Sequence, residues 1–299
     1  MKQKLVKIFH ILVMIFKLER FIIFISDILN FKRWSLLPQN IYYSTDDKKI
    51  IISDGVKFQI NRSDFTQWQI YANYPEMHYE AYLNVNKGNI IDIGANIGSF
   101  SLKVARHLSQ SNSSFKVYSF EPYKKIFNIL KKNLNLNKTF KSSIKLENTP
   151  ISNKDNQKFL VKIVKNNLGA NKLKQIKKNI NSKNSHTNGS VSLDSYVSKN
   201  KIKNISFIKI DVEGMEIDVL EGAKKILKKD SPTIFIEINE KIYNKNGKSI
   251  IPFLKKFKSQ KKIFYIENKK SRPVLEKISF IELKKLVSNK PFNFNLLVR

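Results

Sequence analysis

Two acid-bearing segments of this 299-residue chain carry residue types that could do chemistry. In Ile208-Lys209-Ile210-Asp211-Val212-Glu213-Gly214 an apolar run ends in two carboxylates, Asp211 and Glu213, just before a glycine. Phe235-Ile236-Glu237-Ile238-Asn239-Glu240 repeats the arrangement. Ionised groups at the end of an apolar strand cost desolvation energy unless cations, donors or water meet them, so they mark a cleft more often than a core. Oxygens in that number could hold Mg²⁺ or Ca²⁺, or position a substrate hydroxyl and take its proton. The metal-free reading is preferred. Lys209 supplies the structural alternative, an ion pair with one of the acids.

A third segment, Asp92-Ile93-Gly94-Ala95-Asn96-Ile97-Gly98, reads as a buried strand running into a glycine turn that presents backbone N–H groups to a ligand. Asn96 stands where a nicotinamide fingerprint needs its middle glycine, which disfavours a dehydrogenase. Downstream, Glu121 follows Phe120 and precedes Pro122. From such a strand end a carboxylate can accept both ribose hydroxyls of an adenosine-containing ligand. Of the four histidines, His10, His78 and His107 contribute little; His186 lies in a long Lys/Asn-rich stretch, residues 165–189, that can close over a site.

The elements that must position these residues alternate regularly. Apolar β-branched runs predict strands at 90–93, 116–120, 144–146, 205–210, 233–238, 263–266 and 294–298, with an extra strand at 159–164. Helical spacing appears at Val104, Ala105 and Leu108, at Ile126, Leu130 and Leu134, and at Met215, Val219 and Ala223. Such alternation implies a doubly wound, mainly parallel α/β sheet with ligands beyond the carboxyl ends of its strands. Upstream, Ser53-Asp54-Gly55 joins two short alternating segments as a hairpin, and a helix is expected around 74–85. Residues 1–33 hold two apolar blocks, 8–16 and 21–25, separated and preceded by basic residues. Neither block is long enough to span a bilayer; a helix lying on a membrane surface and one packed on the protein are both open.

The formal charge of +31 invites a nucleic-acid partner. Only six of the 55 basic residues are arginine, however, and Lys, Asn and Ile are abundant throughout, the mark of an AT-rich coding bias. The absence of cysteine excludes disulfides, thiolate catalysis and Cys-ligated metals.

In order and spacing, Asp92-Ile-Gly-Ala-Asn-Ile-Gly98, Phe120-Glu-Pro122, Val191-Ser-Leu-Asp194, Lys209-Ile-Asp-Val-Glu-Gly214 with Glu216, Val219-Leu-Glu-Gly-Ala223 and Glu237-Ile-Asn239 resemble the FkbM family of S-adenosylmethionine-dependent methyltransferases. The resemblance covers about residues 75–240 and implies a class I, Rossmann-like methyltransferase sheet with a final antiparallel strand at 294–298. It also implies that S-adenosylmethionine rests on Asp92, Gly94, Ala95, Asn96, Gly98, Glu121 and Asp211. Many relatives carry histidine where this chain has Met215, so catalysis would have to use Asp211, Glu213, Glu237 or His186, or rely on positioning alone. The expected division is a helical segment at 1–40, a hairpin and helix at 41–85, and a methyltransferase domain at 86–299. The expected activity is O-methylation of a carbohydrate or glycolipid hydroxyl in surface-polysaccharide or lipopolysaccharide assembly, in the cytoplasm or at the inner membrane face. An RNA methyltransferase and a non-catalytic scaffold on the same fold are the alternatives.

Overall fold

In the computed structural model, which describes residues 2–29, 35–74, 77–83, 88–176, 187–238, 250–257, 263–269, 272–289 and 294–299, the backbone forms two units. The smaller comprises Met1–Pro75 with Val164–Gly169, and the larger Glu76–Ile163 with Ala170–Arg299. The N-terminal helices and the hairpin therefore share one unit, while the helix at Met77–Leu83 belongs with the larger one, a different division from the sequence expectation.

The smaller unit contains α1 (Lys2–Ile15), α2 (Glu19–Leu29), β1 (Lys48–Ser53), β2 (Val56–Asn61) and α3 (Phe65–Tyr71). Asp54 and Gly55 both take positive φ, 48° and 73°, between the facing pair Ser53 and Val56. That is the two-residue turn whose twist suits an antiparallel hairpin, and Asp-Gly is the pair that adopts it. Asp64 caps α3 by accepting from the Gln67 N–H at 3.1 Å, while its second oxygen accepts from the Leu168 N–H at 2.7 Å. Phe65 N–H donates to the Asn166 carbonyl at 2.8 Å, so residues 164–169 complete this unit. At its centre the buried Arg62 guanidinium pairs with Glu19 and Asp47, both at 2.6 Å, and lies 4.0 Å from the Tyr43 ring.

The larger unit runs through α4 (Met77–Leu83), β3 (Asn89–Ile93), α5 (Ser99–Gln110), β4 (Val117–Phe120), α6 (Lys124–Asn135), β5 (Ile144–Glu147), β6 (Lys158–Lys162), β7 (Lys172–Ile176), α7 (Leu193–Lys199), β8 (Ile205–Ile210), α8 (Glu216–Glu221), α9 (Lys224–Lys229) and β9 (Thr233–Ile238). It ends with β10 (Ile263–Lys269), β11 (Arg272–Lys277) and β12 (Phe294–Val298), interspersed with helices Ile251–Phe257 and Phe280–Asn289. Eight strands form one sheet in the order β11-β10-β12-β9-β8-β3-β4-β5. The five from β9 to β5 are parallel, and β12 lies antiparallel between β9 and β10. This is the doubly wound, Rossmann-like α/β sheet that the sequence predicts, with the reversed strand at Phe294–Val298. Adjacent isoleucines such as Ile90 and Ile91 are both buried because helices cover both faces of the central strands. Chain order switches direction at β3 and β8, where an open sheet leaves a crevice at its carboxyl edge.

One expectation fails inside residues 165–189. Instead of an uninterrupted loop, Lys172–Ile176 forms β7, paired antiparallel with β6 through Phe159↔Gln175 and Val161↔Leu173. Its Lys-rich composition hides the strand, because on a two-stranded ribbon the outward positions are free to be lysine.

Candidate active site

Strand register places the chemistry. Asp92 is level with Ser119 on β4 and with Lys209 on β8, and Lys209 is level with Phe235 on β9. Side chains alternate along a strand, so two residues further on Glu121, Gly94, Asp211 and Glu237 form a second row on the same face, at the carboxyl edge. Neighbouring strands are about 4.8 Å apart, which sets Glu121 and Glu237 about 14 Å apart across three strand intervals. Asp211 stands between them, one strand from Glu237.

Beneath this edge lies a buried polar cluster. Asp92 has no exposed surface; one carboxylate oxygen accepts from the Ser101 hydroxyl, which in turn neighbours Ser119, and the other lies 3.2 Å from Lys209 Nζ. Lys209 also donates to the Gly94 carbonyl at 3.0 Å and pairs with Asp211 at 3.4 Å. Burial pulls the Lys209 pKa down, but Asp92 and Asp211 outweigh it and hold the ammonium above the ordinary lysine range. The Lys209 ion pair that the sequence offers thus joins two acids on adjacent strands. Asp92 has no surface of its own; it reaches Ser101 and Lys209 and, through Lys209, the Gly94 carbonyl of the turn above it.

The turn itself also departs from expectation. Gly94 and Ala95 N–H groups both donate to the Phe120 carbonyl at 3.0 Å, Gly98 N–H donates to Ala95, and Asn96 N–H donates to Glu121 Oε2 at 3.0 Å. These four amides are engaged within the protein and are not presented to a ligand. Gly94 is required by its neighbour: at φ 85° a Cβ would sit 1.8 Å from the Asp211 carbonyl oxygen. At Gly98, φ 96°, a Cβ would lie 2.5 Å from Leu130 Cδ1. Gly98→Ala should therefore cost about 2 kcal/mol from backbone strain and displaced packing, read as a lower midpoint in urea denaturation; an unchanged midpoint would contradict this close packing.

What the edge gathers is acceptors. Glu121 accepts from the Tyr123 N–H at 2.9 Å as well as from Asn96, and burial, only partly offset by those bonds, pushes its carboxyl up to about 7. Asn96, held at φ 50°, carries a buried Oδ1 with no hydrogen-bond partner. Asn148 donates to the Glu121 carbonyl at 2.8 Å and steadies that strand end. After Asp211, Glu213 (φ 52°) and Gly214 (φ 110°) are consecutive left-handed residues that swing the chain into α8, where the buried Glu216 accepts from the Gly214 N–H at 3.0 Å. Met215 is buried as well, at the entry to α8.

Of the predicted site residues, the fold aligns Glu121, Gly94, Asp211 and Glu237 along one edge and holds Asn96 against Glu121 through its N–H. Ala95 serves through its backbone, and Glu213 lies in the left-handed turn beyond Asp211. His186, Asn239 and Glu240 lie outside the described residues. His78 stacks edge-on against Phe100 and Phe235, with centroids 5.3 and 5.7 Å away. Among the described residues no group of three or more acids and histidines is placed to hold a metal ion. Sequence reasoning missed Ser101, Ser119 and Asn148; Ser101, nine residues after Asp92, gives no signal without the α5 turn that returns it to the strand.

Residues 92–264, more than half of the chain, match the family model described as the methyltransferase FkbM domain. Among solved structures, the FkbM methyltransferase of Methylobacillus flagellatus KT is 13% identical with a TM-score of 0.46, over 80% of this chain and 52% of that one. The tRNA (uracil-54, C5)-methyltransferase of Pyrococcus abyssi, solved with S-adenosyl-L-homocysteine, is 12% identical with a TM-score of 0.41, over 85% and 44%. The precorrin-6y C5,15-methyltransferase of Geobacter metallireducens GS-15 is 9% identical with a TM-score of 0.41, over 81% and 92%. The chain spans about half the length of the first two structures. No curated protein matches it.

Proposed function

The chain belongs to the FkbM methyltransferase family, and from that premise we propose that it transfers a methyl group from S-adenosylmethionine to a hydroxyl of a carbohydrate or glycolipid in surface-glycan assembly. The observation that carries the donor is the chemistry of the sheet edge: carboxylate and amide oxygens gather there, among them a buried Asn96 Oδ1 that lacks a hydrogen-bond partner, while the turn amides are engaged internally. A phosphate needs donors. A cationic ligand bearing two ribose hydroxyls needs carboxylates and amide oxygens, and Glu121, Asn96 Oδ1 and Asp211 supply them.

S-adenosylmethionine, when bound, supplies a methyl group already activated on a sulfonium. The protein's task is then to align the acceptor oxygen and take its proton. Glu121 would hold the ribose hydroxyls, and Asn96 Oδ1 would gain a donor partner. Asp211, paired with Lys209, would offer its carboxylate to the positive part of the donor. Glu237, one strand beyond, takes the hydroxyl proton; Asp92 and Lys209 are positioning residues that act through the turn. A hydroxyl acceptor is supported by these carboxylates and by the lack of any Asp/Asn-Pro-Pro-Tyr segment of the kind used on exocyclic amines. The glycan class rests on the family resemblance.

Incubation with methyl-labelled donor and separate glycolipid, glycan and RNA fractions tests the reading. Label on glycan or glycolipid oxygen is expected. The charge of +31 favours RNA as the competing acceptor, and label there would overturn the proposal. A calorimetric titration without heat for either S-adenosylmethionine or S-adenosylhomocysteine would remove the enzyme reading altogether. Glu237→Gln should slow transfer by about 30-fold to 100-fold, the low end for a general base because the donor is activated. Donor Kd should stay within about twofold; equal loss in Kd would move Glu237 from base to donor contact.

A further inference from the structure

On α1 and α2 of the smaller unit Val13 and Ile22 are buried, but most of the large apolar side chains face outward. Facing its interior, α1 and α2 place polar anchors: His10, edge-on to Tyr42 at 5.9 Å, the buried Ser26, and Glu19, whose carboxylate meets Arg62 at 2.6 Å and accepts from the Tyr43 hydroxyl at 2.7 Å. Facing outward are Leu5, Ile15, Phe16, Phe21, Phe24 and Leu29, each between 61% and 65% exposed. Lys4, Lys7, Lys17 and Arg20 are exposed among them. Water-facing helices carry their large apolar residues on the inner stripe, and a bare patch of this extent marks a surface that something apolar covers.

Length decides how it is covered. At 1.5 Å per residue α1 measures about 21 Å and α2 about 17 Å, against about 30 Å of hydrocarbon. They are separate pieces, because Lys17 at φ 53° ends α1 with Leu18 N–H donating to the Val13 carbonyl and Lys17 N–H to that of Met14. Among the described residues no helix is long and apolar enough to cross a membrane. Charge decides what covers it. Residues 1–33 hold seven basic and two acidic side chains, and Glu19, one of the two, is engaged by Arg62. A second copy would bring the same positive charge to the contact, whereas anionic headgroups complement it and acyl chains take the apolar side chains.

We propose that α1, α2 and the turn between them lie in the headgroup–acyl boundary of an anionic bilayer and hold the chain at that surface. Lys4, Lys7, Lys17 and Arg20 lay their stems along the apolar residues and reach phosphates with their charged ends. This attachment is independent of methyl transfer, so the two readings can fail separately.

Sedimentation of the full chain with vesicles tests it. Binding is expected to phosphatidylcholine vesicles containing phosphatidylglycerol, and to weaken with added salt. The variant Phe21→Ser/Phe24→Ser/Leu29→Ser should bind at least about tenfold more weakly. Lys4→Glu/Lys7→Glu should lose the preference for the anionic vesicles. All substituted side chains are exposed, so both variants should melt at the native temperature, and that melt is the folding control. Failure of the native chain to bind the mixed vesicles, or undiminished binding of the triple variant, would overturn the proposal. So would a concentration-dependent dimer that the triple variant abolishes, which would assign the face to a second copy.

Discussion

Lys209→Met is expected to destabilise the protein by about 3–5 kcal/mol, the cost of leaving a buried charge without its partner. Lys209 and Asp92 are both inside the protein, and the ammonium also holds Asp211 and the Gly94 carbonyl. With methionine in its place the Asp92 carboxylate keeps the Ser101 hydroxyl but loses its cation. In the native chain the lysine's raised pKa means that its contribution persists through neutrality and fades only above the ordinary lysine range. Urea denaturation across pH measures both the loss and that fading. The double variant Lys209→Met/Asp92→Asn should recover part of the loss, because it removes the buried anion with the cation. A single-variant loss below about 1 kcal/mol would mean that the cluster does not bear on the fold.

Glu121→Ala is expected to weaken S-adenosylmethionine by roughly a thousandfold, since two hydrogen bonds to a charged acceptor, each of about 1.5–3 kcal/mol, disappear together. The same residue should give donor binding a characteristic pH profile. In the empty site burial raises its carboxyl to about 7, whereas two ribose hydroxyls favour the ionised form. Affinity should then rise by up to about tenfold per pH unit between about pH 5 and 7 and level off above, with proton release on binding. Calorimetry in buffers of different ionisation enthalpy reads that release directly. For the empty chain the sign is opposite: stability falls as pH rises from 4.5, the ordinary value, to about 7, by up to about 3 kcal/mol. Glu121→Gln should flatten both curves. A wild-type profile that is already flat would detach Glu121 from the donor.

Much of this edge is legible in the sequence because each strand carries its own signal. Ile205–Ile210, Thr233–Ile238 and Phe294–Val298 begin and end where their β-branched and aromatic runs do. Asp211, Glu121 and Glu237 announce themselves as acids interrupting or closing such runs. What one strand cannot reveal is its neighbour. That Phe120 accepts both turn amides, that Lys209 reaches acids on two strands, and that Ser101 returns to Asp92 all depend on cross-strand register and helix packing. The glycines were readable as tight positions, but only the three-dimensional neighbour, the Asp211 carbonyl, says what makes Gly94 obligatory. In β7 the local signal pointed the wrong way, since lysines on the outward face of a ribbon look like a loop.

The return of residues 164–169 to the smaller unit sets a clock on synthesis. Asp64 and Phe65 wait for Leu168 and Asn166, so the N-terminal unit cannot close its hydrogen bonds until 88 intervening residues, 76–163, have been translated. At about 5–20 residues per second that interval is roughly 4–18 s, ample for its helices and hairpin to form on the ribosome but not to lock. A fragment ending at residue 75 would stay in that unfinished condition, and the exposed side chains of α1 and α2 would meet chaperones or lipid before the chain's own last turn arrives.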